Sequence, residues 1–408
     1  MNKAAPVLKV NYTGNTNIIY PSTPHPAVFR SGIDSEIPLI IENARKDFEV
    51  TALYNDKRIS CRIEPASPDD DSIWINTGDS LKTSVNPSFY WIKFSENDIP
   101  TGTYDLEIKQ SDGNLPFYQK RSIIILPKNQ EEFEFCVITD LHLGDHKVKL
   151  HGLHFSNREL VAKHFRNIMK NPPLFVVILG DLVSSIFTFS RDYPRIHALL
   201  EKECRIPYFI LPGNHDGYAL GWGNHVYLDG WDFWKKYFKS TWFSFDIGPI
   251  HFIGLNSYDW PYADRNLFKW RYIRKYQFNQ AGAISNEQLE WLKKDLKQAY
   301  DKNSTIILFS HHNPLHKDFI RANGKKIPGG WSGPGREKVM DLINEYNIKW
   351  VFAGHQHYNK VETYNNTKFI TTTSAASCHE KYHKWGYRRI CVNGTEINIE
   401  EEAIKSEA

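Results

Sequence analysis

The chain has 408 residues, of which 41% are hydrophobic, 14% aromatic and 24% charged, a globular composition that excludes disordered, fibrous and low-complexity classes. A formal net charge of +3 and a pI near 8.4 are too mild to be the electrostatic footprint of a nucleic-acid or anionic-membrane binder, so the partner class has to come from a site. The length exceeds one usual domain, and two are expected. No apolar run is long enough to span a bilayer, and the opening MNKAAPVLKVNYTGN has no apolar signal-peptide core. As written, the chain is expected in the cytoplasm; a leader removed ahead of this start would place it outside. Cys61, Cys136, Cys204, Cys378 and Cys391 are odd in number and lack CxxC spacing, which argues against a disulfide framework and a thiolate zinc site. Free thiols are expected, with a Cys378–Cys391 pair as the alternative.

Up to about Pro127 the text is β-like: EIPLIIENA, DFEVTALYN, KRISCRIEP, SFYWIKFS, GTYDLEIKQ and FYQKRSIIILP, separated by turn clusters such as SPDDDS and QSDGN. That rhythm predicts a small antiparallel sandwich of the Ig-like kind over residues 1–128. It holds no ligand cluster, so no catalytic group is expected there. The polar PKNQEEFE reads as a linker into a second domain, 129–408.

Strands alternate with helices from there on. SNRELVAKHFRNIMK opens with Ser156 and Glu159 as a capping box, and ISNEQLEWLKKDLKQAY repeats the device with Ser285 and Gln288. GREKVMDLINEYN makes a third helix. This pattern predicts sheet layers covered by helices.

Five apolar strands each end in Asp, Asn or His. FEFCVITDLH ends at Asp140 and His142, LFVVILGD at Asp181, PYFILPGNHD at Asn214 and His215, TIILFSHHNP at His311 and His312, and IKWVFAGHQH at His355 and His357. Strand ends of a layered α/β domain lie side by side, so these side chains converge on one small volume. Carboxylates and imidazoles packed so closely need cations between them. An all-oxygen-and-nitrogen donor set favours manganese, iron or zinc, and the donors are too many for one ion. Two divalent ions about 3.5 to 4 Å apart, sharing a carboxylate and a hydroxide, are the usual arrangement for displacing an oxygen at phosphorus.

In this order the blocks DxH, GD, GNH followed by an acid, a His, and GHxH resemble the signature of the calcineurin-like metallophosphoesterases, over roughly Phe133 to the end. The resemblance implies a four-layer αββα sandwich of two mixed sheets flanked by helices. It also implies one ion held by Asp140, His142, Asp181 and His357 and another by Asp181, Asn214, His312 and His355. His312 is selected over His311 because the family histidine stands two residues before a proline, although the strand ends at both. An Ig-like domain ahead of such an enzyme is also similar to purple acid phosphatases, but those carry a Tyr where Ser184 stands here and open on DxG rather than DLH.

His215, beside the ligand Asn214 but not itself a ligand, is the candidate general acid, with Asp216 orienting it. The motif loops DLHLGD, GDLVSS, GNHDGY and GHQHYN contain no Arg or Lys to hold a monoester dianion, which favours a phosphodiesterase acting on a small-molecule or lipid phosphoester. A catalytically silent binding or scaffolding protein is the competing reading; it is disfavoured because no ligand position or acid is replaced. Half of the 12 Trp fall between Tyr218 and Tyr272 and read as the packing of a long cap, with a stacking or leaving-group pocket as the alternative. RYIRKY at 271–276 reads as a solvated basic face. His225, His379 and His383 are left out of the metal set, and Tyr387, Arg388 and Arg389 are read only as a strand that could return toward the site.

Overall fold

The computed structural model describes residues 17–44, 47–67, 77–79, 86–95, 99–111, 116–145, 156–222, 225–266, 279–320, 324–377 and 384–403. The basic stretch 271–276, Trp270, Cys378, His379 and His383 lie outside them. Eight strands come first: β1 (Asn17–Tyr20), β2 (Ala27–Arg30), β3 (Ile37–Glu42), β4 (Phe48–Tyr54), β5 (Lys57–Pro65), β6 (Pro87–Phe94), β7 (Gly102–Gln110) and β8 (Phe117–Leu126). They form one ladder in the order β1-β3-β6-β5-β4-β7-β8-β2, antiparallel except between β2 and β8. Alternate residues such as Val50 and Ala52 of β4 turn into a core with Leu39, Ile41, Ile92 and Leu106.

The same alternation makes β8 a shared wall. Ile123 and Ile125 enter the core of the all-β region, whereas Ile124 and Leu126 enter the next one. The stretch expected as a linker is therefore short, because β9 (Glu132–Ile138) begins six residues after Leu126, where β8 ends. Arg30 faces Asp246 at 3.7 Å and Arg121 faces Glu201 at 3.2 Å across the same junction.

After β9 come α1 (Asn157–Ile168), β10 (Phe175–Ile178), α2 (Phe189–Glu203), β11 (Tyr208–Ile210), the hairpin β12 (Ala219–Trp222) and β13 (His225–Asp229), α3 (Gly230–Tyr237), β14 (Phe243–Ile247) and β15 (Ile250–Leu255). Then follow α4 (Asn286–Asp301), β16 (Thr305–Ser310), the hairpin β17 (Asp318–Ile320) and β18 (Lys326–Pro328), α5 (Arg336–Glu345), β19 (Trp350–Ala353), β20 (Lys360–Tyr364), β21 (Thr367–Thr371), β22 (Gly386–Asn393) and β23 (Glu396–Ala403). The first sheet runs β11-β10-β9-β22-β23 and the second β14-β15-β16-β19-β21-β20. Both are mixed: β9, β10 and β11 are parallel while β22 is antiparallel to β9, and β15, β16, β19 and β21 are parallel between antiparallel edges.

Their facing sides meet in an aromatic core in which Phe135 stacks on Phe175 and meets Phe252, Phe309 and Phe352 edge-on. The outer face of the first sheet, Cys136, Ile138, Val176 and Ile178, packs against Leu160, Phe165, Ile196 and Leu200 of α1 and α2. The outer face of the second, Ile253, Leu255 and Leu308, packs against Leu289, Leu292 and Leu296 of α4 and Val339 of α5. These are the four layers the family resemblance implies.

The Ser156 capping box forms in full, with the Ser156 backbone N–H donating to Glu159 Oε2 at 2.6 Å and Glu159 N–H to Ser156 Oγ at 3.3 Å. At α4 only half of one forms. Gln288 N–H donates to Ser285 Oγ at 3.2 Å, but the Gln288 amide is taken by the loop after β15, accepting from Asn256 N–H at 2.9 Å and donating to Asn256 O at 3.0 Å. Asp259 caps Ser285 N–H in its place at 3.2 Å. Of the Trp-rich segment, Trp234 and Trp242 are buried, Trp231 and Trp260 pack on the core, and Trp222 is half exposed on the β12–β13 hairpin. Packing accounts for most of it. Cys61, Cys136, Cys204 and Cys391 are free.

Candidate metal centre

The ends of β9, β10, β11, β16 and β19 open on one pocket, and the backbone there is tied across from end to end. Asp140 N–H donates to Gly180 O at 3.0 Å, His142 N–H to Asp181 O at 2.8 Å and Gly354 N–H to His311 O at 3.0 Å. Across the two sheets, His355 N–H donates to Asp140 Oδ2 at 2.9 Å and His311 Nδ1 bonds to Leu179 O at 2.7 Å. His215 N–H donates to Asp181 Oδ1 at 2.8 Å. A Cβ on Gly213 would stand 2.1 Å from that same Oδ1, which is why GNH begins with glycine.

The backbone is also strained here. Asp140, His142, Asp181, His355 and His357 all have φ between +42° and +66°. Elsewhere among the described residues, a non-glycine φ in this region belongs to Asn or to Arg121 and Lys239. Left-handed backbone costs roughly 1–2 kcal/mol per such residue, and five together at strand ends mark a place where direction of the side chain outweighs that cost.

What the strain achieves is convergence. His357 Nε2 lies 3.0 Å from Asp140 Oδ1 and 3.3 Å from His142 Nε2, which is 3.4 Å from Asp181 Oδ2 and 3.6 Å from Asp140 Oδ1. Asp181 Oδ2 then lies 3.3 Å from His311 Nε2 on its other side. Ligand bonds of about 2.1 Å put neighbouring ligand atoms roughly 3.0 to 3.4 Å apart in octahedral or tetrahedral coordination, so these spacings fit shared cations. Asp140, His142 and His357 form one such group, Asp140, Asp181 and His311 a second, and His311, His312 and His355 a third. His142, Asp181 and His215 form a fourth.

The electrostatics point the same way. Burial alone would push both carboxyls up, yet His357 and His142 hold Asp140 well below the usual carboxylate range, and His311 and His215 do the same for Asp181. Against its own burial, His311 is pushed up to about 9 by Asp181. Positive charge between the carboxylates is what this pocket demands. Asn214 Oδ1, buried in the site, has no hydrogen-bond partner, an arrangement costly in a dry interior and satisfied by a divalent ion. The residues fit the metal.

Two expectations change. His312 does not aim a free nitrogen at the pocket: Nδ1 is 2.9 Å from Ser257 Oγ and Nε2 is 2.9 Å from Gln280 O. His311, with Nδ1 tied to a carbonyl and Nε2 facing Asp181, has the geometry expected for His312. Asp216 does not orient His215. Its carboxylate accepts from the N–H groups of Leu182, Val183 and Gly213 at 2.9, 3.3 and 2.9 Å, and the His215 ring is held by Ser184 O, 2.8 Å from Nδ1. Burial and the Asp181 charge push Asp216 up to about 7, against the backbone N–H groups it accepts from, which pull it down. Arg388, buried on β22, is spent on Thr371 O and Glu401, and His225 sits exposed on β13.

Sequence reasoning missed the supports. Tyr218 OH receives Asn214 Nδ2 at 2.6 Å and so turns Asn214 Oδ1 inward; its position one helical turn after Asn214 was the available signal. Ser257 and Ser374, whose hydroxyl donates to Asp140 O at 2.7 Å, carry no local signature at all.

A family model described as calcineurin-like phosphoesterase matches residues 133–359. The chain belongs to that family and is a metal-dependent phosphoester hydrolase by class. It is 26% identical over 229 residues to a probable glycerophosphodiester phosphodiesterase of Arcobacter nitrofigilis, covering 53% of this chain and 67% of that one. To the serine/threonine-protein phosphatase CPPED1 of Pongo abelii it is 24% identical over 239 residues, covering 57% and 68%. Among solved structures, a purple acid phosphatase from yellow lupin seeds superposes with a TM-score of 0.52 at 14% identity, covering 90% of this chain and 70% of that one. That likeness is one of fold, and it takes in the all-β region. No helix among the described residues is long and apolar enough to cross a membrane.

Proposed function

We propose that the protein hydrolyses phosphodiesters at two divalent ions, manganese, iron or zinc, one held by Asp140, His142, Asp181 and His357 and the other by Asp181, Asn214, His311 and His355. The observation that carries this is Asp181 Oδ2, 3.4 Å from His142 Nε2 on one side and 3.3 Å from His311 Nε2 on the other. Bound there, the ions would supply Lewis acidity to the phosphoryl oxygens and lower the pKa of the attacking water. The chain's own residues do the rest. His355 Nε2–H donates to Gly329 O at 2.8 Å, which leaves Nδ1 as the free lone pair toward the pocket. Ser184 O fixes the His215 proton on Nδ1, so Nε2 is the atom that brings a second proton to the leaving oxygen. Burial pushes His215 down to about 4, and an anionic phosphoryl group within reach works in the opposite direction.

Diesters are favoured over monoesters because the motif loops hold no Arg or Lys for a second negative charge, and the name of the Arcobacter relative agrees in kind. The test is a panel of mono- and diesters after metal removal and reloading with manganese, zinc or iron. Equal or faster turnover of a phenyl phosphate monoester than of its bis-ester would overturn the diester assignment, and no turnover of any ester with both ions bound would leave a binding protein.

A further inference from the structure

Resting on that reading of the site, we propose that Asp79, in the all-β region, is a positioning residue for the metal centre, acting through Thr241, Asn256 and Ser257 on the His311–His312 pair. Asp79 is buried at the tip of the turn Thr77–Asp79, and its carboxylate grips a turn far away in sequence. Oδ1 accepts from Ser240 Oγ and Thr241 N–H, both at 2.5 Å, and from Trp242 N–H at 3.3 Å, while Oδ2 accepts from Thr241 Oγ1 at 2.5 Å. The two turns are in close apposition, since a Cβ on Gly78 would stand 1.9 Å from Trp242 O. His25 Nε2, also from the all-β region, and Trp234 Nε1 both reach Ser240 O, at 3.1 and 2.8 Å.

The polarity of the chain beyond that grip follows from counting protons. Thr241 has one hydroxyl hydrogen and gives it to Asp79, so its lone pairs face Asn256, whose Nδ2 donates to it at 3.3 Å. Asn256 Oδ1 is thereby turned to accept Tyr258 N–H at 2.9 Å, which folds residues 256–258 into a tight turn around Ser257. Ser257, wholly buried, accepts His312 N–H at 2.9 Å and lies 2.9 Å from His312 Nδ1. That contact fixes the peptide following His311 and seats the His312 ring 4.3 Å from the ring of His355. The peptide between His311 and His312, and the His312 ring that packs on His355, are thus held by a line of hydrogen bonds that starts in the all-β region.

Asp79→Asn is nearly isosteric, but its amide hydrogens face the Thr241 hydroxyl, which then has an amide donor on either side and has lost the acceptor for its own hydrogen. Asn256→Asp alone creates the opposite clash, acceptor against acceptor. Combined, Asp79→Asn with Asn256→Asp rebuilds a complementary chain of the same total charge with its polarity reversed. Manganese titration calorimetry on the full-length chain should show each single variant binding one ion roughly 10-fold more weakly, in the range for groups that orient metal ligands. kcat on a diester should fall with KM little changed, and the double variant should recover most of both.

A merely structural contact would lower the melting temperature while leaving manganese affinity and kcat at 25 °C as in the wild type. That result, or a double variant no better than the worse single one, overturns the proposal. Should Asp79→Asn fail to fold, unchanged manganese affinity in Asn256→Asp overturns it equally. A wild-type chain that takes up no manganese and cleaves no ester overturns the reading of the site and this inference with it; a wild type that does both, beside unaffected variants, overturns this inference alone.

Discussion

Replacing His215 by Asn separates proton delivery from metal binding, because the structure assigns the two jobs to different atoms. The tie to the metal pocket is the backbone N–H of residue 215 on Asp181 Oδ1, at 2.8 Å, and no side-chain change removes it. An Asn amide reaches about as far as imidazole Nδ1, so it can keep the bond to Ser184 O, now 2.8 Å from Nδ1. What disappears is Nε2 and its proton. A general acid contributes roughly 10² to 10⁴ in rate when the leaving group is a poor one, about 3 to 5 kcal/mol of barrier. His215→Asn should therefore retain both ions by elemental analysis and lose that factor on a diester of an aliphatic alcohol. On bis-p-nitrophenyl phosphate, whose leaving group needs little protonation, the loss should shrink to less than about 10-fold. Equal losses on the two substrates at full metal occupancy would refute the acid role, and loss of an ion would make His215 a ligand or its support.

The neighbouring histidines should differ sharply: His311→Ala should cost one of the two ions, whereas His312→Ala should keep both and weaken one, since both nitrogens of His312 are spent on Ser257 and Gln280; the metal count of the two purified variants decides. Asn214→Ala should lose activity at low manganese and regain part of it as manganese is raised, a rescue that would be absent if Asn214 served only its bond to Tyr218. Away from the site, His251 sits between Asp246 at 2.5 Å and Asp295 at 3.0 Å, with Lys302 and Arg30 on Asp246 and Ser244 on Asp295, and these carboxylates, against its burial, push its pKa up to about 10. A folded-state pKa above the unfolded value of about 6.5 stabilises fully below pH 6.5 and is lost as pH rises through about 10. The melting-temperature gap between wild type and His251→Asn should accordingly be widest near pH 6 and narrow steadily toward pH 10; a gap that widens with pH would contradict this.

The sequence by itself determined which side chains could meet. Asp140, His142, Asp181, Asn214, His355 and His357 were legible because each sits within a few residues of an apolar strand, and a strand that stops at a sheet edge leaves its next side chains no other direction. The Ser156–Glu159 box was legible for the same reason: both partners lie within one turn of chain. Choosing between neighbours needed the third dimension. His311 and His312 are adjacent and chemically identical, and only the positions of Leu179 O and Asp181 on one side and Ser257 and Gln280 on the other decide which nitrogen stays available. Gln288 looked like a capping residue and was drawn instead to Asn256, 32 residues away, and Asp216 looked like a partner for His215 and braces the backbone of Leu182. The sharing of β8 between two cores and the reach of Asp79 to a turn 162 residues on left no local trace, because a hydrogen bond between distant segments is specified by the packing that brings them together and by no spacing along the chain.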